Sequence, residues 1–193
     1  MGRRVGSSCD RAHAVLGGSE HCIATYPGDW AIALLAADAI VDVQGPGGRR
    51  SLPVGELHRL PGSTPERETT LADDDLIVRI RIPVSGRGRT SAYHKVRDRE
   101  SYAFALASAA VALELDGERV RSARIAVGGV ATKPWRVPAA EQVIVGQVLT
   151  PALARRAGET AFREARPGHH NGFKVELGAR VVAEALHIAK ERA

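Results

Sequence analysis

Residues 92–115 do most to restrict how this chain folds. They open with a dense charged patch, Lys95, Arg97, Asp98, Arg99 and Glu100, and pass through Tyr102 into the longest run of small apolar residues in the chain. A run of that kind needs a buried home, because only removal of its apolar surface from water offsets the entropy lost in ordering it. The charge at its mouth then needs a reason of its own. Two readings compete for the apolar run. Alanine favours helix. Asp116-Gly117, followed by alternating charged and apolar residues over 119–127, signals a hairpin. We read two paired strands, 101–115 and 119–127, with the alanines marking places where helices lie close on the sheet.

The flanking segments fit around this hairpin. Residues 1–21 carry Gly, Ser and charge, and read as loop with at most one turn of helix and little to hold them down. Pro27-Gly28 forces a turn. Asp29 is then well placed to cap a helix from Trp30 to about Asp38, apolar almost all round and therefore buried. Residues 40–43 and 51–54 read as strands joined by a turn at 45–48. Residues 61–75 are a polar connection. Residues 76–82 alternate, which predicts a half-exposed strand. A loop over 83–90 marks a domain boundary. After Gly128-Gly129 the pattern turns helical: residues 138–145, then a helix that Thr150-Pro151 starts and that runs to about Ala165, then a last helix capped by Asn171 and carrying Phe173, Leu177, Val181 and Ala185. Strands followed by three helices make an α+β layer. No internal repeat is visible.

Composition narrows the function classes. With 193 residues, the chain holds one ordinary domain or two small ones, and 44% hydrophobic with 25% charged residues is normal for a packed soluble protein. Net charge is +5, but the Lys and Arg residues are scattered, which argues against a nucleic-acid partner. No run is long enough for a membrane span and no signal peptide is evident, so a cytoplasmic location is expected, or a periplasmic one if exported with a partner. Cys9 and Cys22 are too few for a disulfide framework. Cys9, His13, His21 and Cys22 do not have the paired spacing of a zinc site. No Ser/His/Asp or Cys/His signature and no glycine-rich phosphate loop occurs, and His169-His170 reads as a solvated loop. That leaves Asp29, as a helix cap or as an acceptor for a ligand hydroxyl or ring N–H. It also leaves the 95–100 patch, as a solvated turn or as cations set against an anionic cofactor or partner.

Four separated blocks resemble one family. They are Cys-Ile-Ala-Thr-Tyr-Pro-Gly-Asp-Trp-Ala-Ile-Ala-Leu at 22–34, Tyr-His-Lys-Val-Arg-Asp-Arg-Glu-Ser-Tyr-Ala-Phe-Ala-Leu at 93–106, Gly-Gly-Val-Ala-Thr-Lys-Pro-Trp-Arg at 128–136, and Asn-Gly-Phe-Lys-Val-Glu-Leu at 171–177. In this order they resemble the FAD-binding (medium) subunit of the molybdenum hydroxylases, the xanthine dehydrogenase, aldehyde oxidoreductase and carbon monoxide dehydrogenase family, and within it the medium subunit of bacterial aldehyde oxidoreductases. The resemblance implies an α+β fold. Residues 1–85 would be the second half of a PCMH-type FAD-binding domain. Residues 90–193 would be a CO dehydrogenase flavoprotein C-terminal-like domain, an antiparallel sheet backed by three helices.

It also implies a role. Substrate is oxidised at a molybdenum cofactor on a large subunit. Electrons pass through iron–sulfur clusters on a small subunit to FAD here, and then to an external acceptor. The isoalloxazine does the redox chemistry while the protein positions and tunes it. Asp29 matches the family aspartate that contacts FAD, Thr25 lies in the same turn, Tyr102 matches the region near the flavin, and Lys95 and Arg99 are candidates for cofactor or subunit contacts. Family members begin with a further subdomain whose glycine-rich loop cradles the pyrophosphate. Its pattern is missing before residue 22, so the expectation is a truncated subunit, inactive in isolation, with a separate chain as a candidate carrier of the other half. Cys22 matches a cysteine at the edge of an iron–sulfur insertion, but two cysteines do not make a four-thiolate site, so no metal ligand is assigned. The alternative is a binding or scaffold module that keeps the fold and has lost the flavin.

Overall fold

The computed structural model describes residues 9–84 and 90–193. The expectations for residues 1–8, and for 85–89 within the loop and boundary at 83–90, lie outside the described residues.

The first half is built on helix α1 (Trp30–Ala36) and an antiparallel sheet of β1 (Ile40–Gly45), β2 (Gly48–Pro53) and β3 (Leu76–Arg81), in the order β2-β1-β3, with a single helical turn α2 (Val54–Leu57) after β2. Val41 and Val43 alternate inward from β1, as period-two patterning requires, and meet Ile32, Leu34 and Leu35 of α1 with Val54 and Leu57 of α2. Strand β3 corrects the expectation of a half-exposed strand: all six of its residues are exposed. It pairs with β1 on one side and is the end strand of the sheet order, so its apolar side chains reach past the cover that α1 gives to β1.

The second half is an antiparallel sheet of β4 (Ser91–Val96), β5 (Ala107–Asp116), β6 (Arg119–Gly128) and β7 (Trp135–Arg136), in that order, followed by α3 (Pro138–Ile144), α4 (Pro151–Ala161) and α5 (Phe173–Glu191). The hairpin signal is borne out: β5 and β6 pair from Ser108↔Gly128 to Asp116↔Arg119, and Gly117 takes the left-handed conformation (φ 58°) that the tight turn needs. Strand β5 is buried on both faces. Ala109, Val111 and Leu113 point into the cluster formed with α3 to α5, while Ala110 points into the α1 cluster. A strand covered on both sides reads as a continuous apolar run, and small side chains let α1 and α5 approach closely. The strand begins at Ala107, however, and not at Ser101. Residues 97–106 link it to a separate strand, β4, which the sequence reading did not resolve.

Thr150 caps α4 as expected, its Oγ1 accepting from the Leu153 amide at 3.2 Å. Helix α4 ends at Ala161, short of Ala165. Asn171 does not cap α5; Gly172 occupies that position, and the Asn171 amide instead accepts from the Gly168 N–H (2.6 Å) and donates to the carbonyl oxygens of His13 and Ala14. This belongs to a clasp that overturns the loose picture of the early segment. Lys174, only 1% exposed, donates through Nζ to Gly129 O (2.7 Å) and Ala12 O (3.0 Å). Asp10 accepts from the backbone N–H groups of His169 (2.7 Å) and His170 (2.8 Å). Burial, with Arg11 nearby, pushes the Lys174 amine down to about 8. Backbone carbonyls taken from water need donors, and Asn171 and Lys174, just before and within the first turn of α5, supply them.

The two halves are joined by charge as well as by packing. Asp38, at the end of α1, accepts from Arg124 Nε of β6 (2.8 Å) and lies 3.3 Å from Arg136 Nη1 of β7. Arg136 in turn meets Glu141 of α3 at 2.9 Å, and Glu141 also accepts from the Ile125 amide at 3.0 Å.

Candidate functional site

The site forms where the start of α1 meets the outermost strand of the second sheet. Asp29 stands immediately before α1, and its backbone carbonyl accepts from Ile32 N (3.1 Å) and Ala33 N (3.2 Å). Its side chain does not cap. A capping side chain folds back onto the first amides from an extended backbone, and Asp29 is already helical (φ −87°, ψ −38°). The capping alternative is thereby corrected, and the carboxylate is free to face β4.

Strand β4 presents Tyr93 and Lys95 to it, two residues apart and so on one face. Lys95 Nζ lies 2.6 Å from Asp29 Oδ2, and Tyr93 Oη donates to Oδ1 at 2.7 Å. Behind Tyr93 stands Ser108 of β5, buried, with its Oγ 3.1 Å from the phenol oxygen. Burial works to raise the Asp29 carboxyl, but the hydrogen bonds from Lys95 and Tyr93 and the charges of Lys95 and Arg97 outweigh it and hold the group below the usual carboxylate range. Burial and the neighbouring Asp29 charge push the Tyr93 phenol well above its ordinary value. At pH 7 the site thus holds a carboxylate and a neutral phenol, with Lys95 beside them. The Asp29 side chain remains 45% exposed, and each carboxylate oxygen has acceptor capacity left for an incoming donor.

The other sequence candidates fall nearby in the chain but not into this contact. Arg99 Nη2 donates to the Tyr102 carbonyl oxygen at 2.6 Å, and Tyr102 is left-handed (φ 50°) and 94% exposed. Both belong to the β4–β5 link, which the Arg11–Asp98 pair (3.3 Å) ties back to the early segment. Thr25 spends its hydroxyl on Ala12 O at 2.8 Å, holding the turn before α1 against that segment. Sequence reasoning missed Tyr93 and Ser108, and also Trp30 and Phe104, which are exposed aromatics. A groove of about 570 Å³, walled by Ala33 and Ala36 of α1, Ala110 and Ala112 of β5, Ile82 and Tyr93, opens beside the site. Among the described residues, no three of His, Cys, Asp and Glu gather to hold a metal ion; Cys9 is exposed and Cys22 buried.

These residues suit one side of a flavin: a partly exposed carboxylate that accepts from an N–H or hydroxyl, cations beside it, and exposed aromatic faces. Comparison with known proteins points the same way. The model described as the FAD binding domain in molybdopterin dehydrogenase matches residues 2–85, and that described as the CO dehydrogenase flavoprotein C-terminal domain matches residues 91–189. The aldehyde oxidoreductase FAD-binding subunit of Escherichia coli (strain K12) is 42% identical over 99% of this chain and 59% of its own length. The nicotine 6-hydroxylase medium subunit of Paenarthrobacter nicotinovorans is 33% identical over 95% of this chain and 65% of its own. The structure of carbon monoxide dehydrogenase from Hydrogenophaga pseudoflava superposes with a TM-score of 0.75 at 27% identity, over 86% of this chain and 57% of that one. The chain therefore spans less than two thirds of the length of these relatives. With both family models in register along it, the chain belongs to the FAD-binding medium subunits of the molybdenum hydroxylase family.

Proposed function

We propose that this chain supplies one wall of an FAD site in the electron-transfer subunit of a molybdenum-containing oxidoreductase of the aldehyde oxidoreductase or xanthine dehydrogenase type. The observation that carries the reading is the contact between Asp29 and Lys95. The sequence marks two regions 66 residues apart, and they meet on one partly open face. In this reading Asp29 accepts from a flavin ring N–H or ribityl hydroxyl. Lys95 balances its charge and lends a positive field to the ring. Tyr102 offers an aromatic face, Arg99 fixes the backbone that carries it, and Thr25 holds the turn. Bound FAD supplies the ring that takes up and releases electrons. Residues 1–85 and 90–193 act as two domains that together form that wall. The partners are a large subunit with the molybdenum cofactor and a small subunit with iron–sulfur clusters, and the relatives' remaining length corresponds to the opposite wall of the cleft.

The test is flavin binding in the complex assembled from this chain, a polypeptide covering the relatives' remaining length, and the large and small subunits. The complex is expected to be yellow. After flavin removal, Asp29→Ala should weaken FAD rebinding by about tenfold or more, the usual consequence of losing a charge-assisted hydrogen bond. A colourless complex, or a variant that rebinds FAD like the parent, sinks the assignment.

A further inference from the structure

We infer that Tyr93, backed by Ser108, is a positioning residue for Asp29: it aims the carboxylate into the cleft and sets the pH below which the site ceases to accept its ligand. The inference rests on the flavin reading of the site. A phenol carries one hydrogen. Facing an ionised Asp29, Tyr93 must give that hydrogen to Oδ1, at 2.7 Å. The Ser108 hydroxyl, 3.1 Å away and only 2% exposed, then donates to the phenol oxygen. The chain of donors runs one way, from Ser108 through Tyr93 to Asp29.

The fold builds this row. Ser108 lies opposite Lys95 in the β4–β5 register and opposite Gly128 in the β5–β6 register. Gly128 is needed there, since a Cβ at that position would come within 2.7 Å of both Ser108 Oγ and Ile32 Cγ1. Lys95 by itself is a poor guide for a carboxylate, being a point charge on a long flexible stem. The rigid phenol fixes the second oxygen, and two fixed oxygens define the plane of the group.

The test measures FAD affinity against pH in the flavin-stripped complex. Tyr93→Phe keeps the ring and removes the hydroxyl. It should weaken FAD binding by about threefold to tenfold at pH 7. It should also move the acid fall-off of binding to higher pH, because a donor that favours ionised Asp29 is gone. Ser108→Ala should shift the profile in the same direction by less. A profile that superimposes on the parent's overturns the inference, as does weaker binding with an unshifted fall-off, which would mark a merely structural role. If Tyr93→Phe fails to fold, the Ser108→Ala profile decides on the same terms. Asp29→Ala separates the two levels: no effect there fails the flavin reading itself, whereas loss there with a parental Tyr93→Phe profile fails this inference alone.

Discussion

At the scale of single residues, chemistry was legible where charge broke the local pattern and hidden where it did not. Asp29 and Lys95 stand out because a turn ending in a carboxylate and a knot of charges beside an apolar run both ask for partners. Tyr93 and Ser108 carry no such mark. Ser108 reads as one more small residue in an alanine run, and only its 3.1 Å contact with Tyr93 shows that it stands behind the phenol. Lys174 is hidden for the opposite reason: a lysine in an amphipathic helix is expected in water, and here it is buried and serves two backbone carbonyls. A methyl on Gly128 meets Ile32 and Ser108 in a packed layer, so Gly128→Ala should cost about 1–3 kcal/mol, read as a lowered Tm. A variant as stable as the parent would mean that the layer has slack the contacts do not show.

At the scale of elements, the hairpin, the capped helix α4 and the strand-then-helices order were visible, because turn chemistry and apolar period determine them locally. Strand β4 was not, because six residues ahead of a charged link give periodicity too little room. Nor was the pairing of α4 with α5, which depends on charges meeting across a gap in sequence. Glu176 of α5 accepts from Arg155 of α4 at 2.7 and 3.1 Å and from Arg180 at 2.7 Å. Those guanidiniums hold its carboxyl at about 2, below the roughly 4.3 of an unfolded glutamate. The folded state therefore binds fewer protons than the unfolded state between these values. The contribution is complete above about pH 5 and is lost as pH falls through 4 towards 2. Asp75, held at about 2 chiefly by Arg50, acts in the same sense on the first sheet. The Tm should drop along this acid limb, and the drop should be shallower in Glu176→Gln; equal slopes would show that the α4–α5 charges contribute nothing.

At the scale of the whole molecule, the α+β layering followed from the order of elements, but how the halves meet did not. That depends on Asp38 facing Arg124 and Arg136, three residues that look like ordinary surface charges in the sequence. The exposed strand β3 was also misjudged, because alternation says which residues share a face and not whether anything covers it. An end strand bearing Leu76, Val78 and Ile80 in the open is a template for another chain. Purified alone, the protein should self-associate as its concentration rises, and Val78→Lys should reduce this in sedimentation velocity runs. Association unaffected by that lysine would place the sticky surface elsewhere.

The Asp29–Lys95 contact has one more consequence. Its carboxylate stands at the start of the helix of one half and its cation on the first strand of the other, so whatever settles over the pair grips both bodies at once. Such a guest works as a rivet. By reciprocity, every increment of affinity it draws from touching both sides is returned as resistance of the two halves to parting.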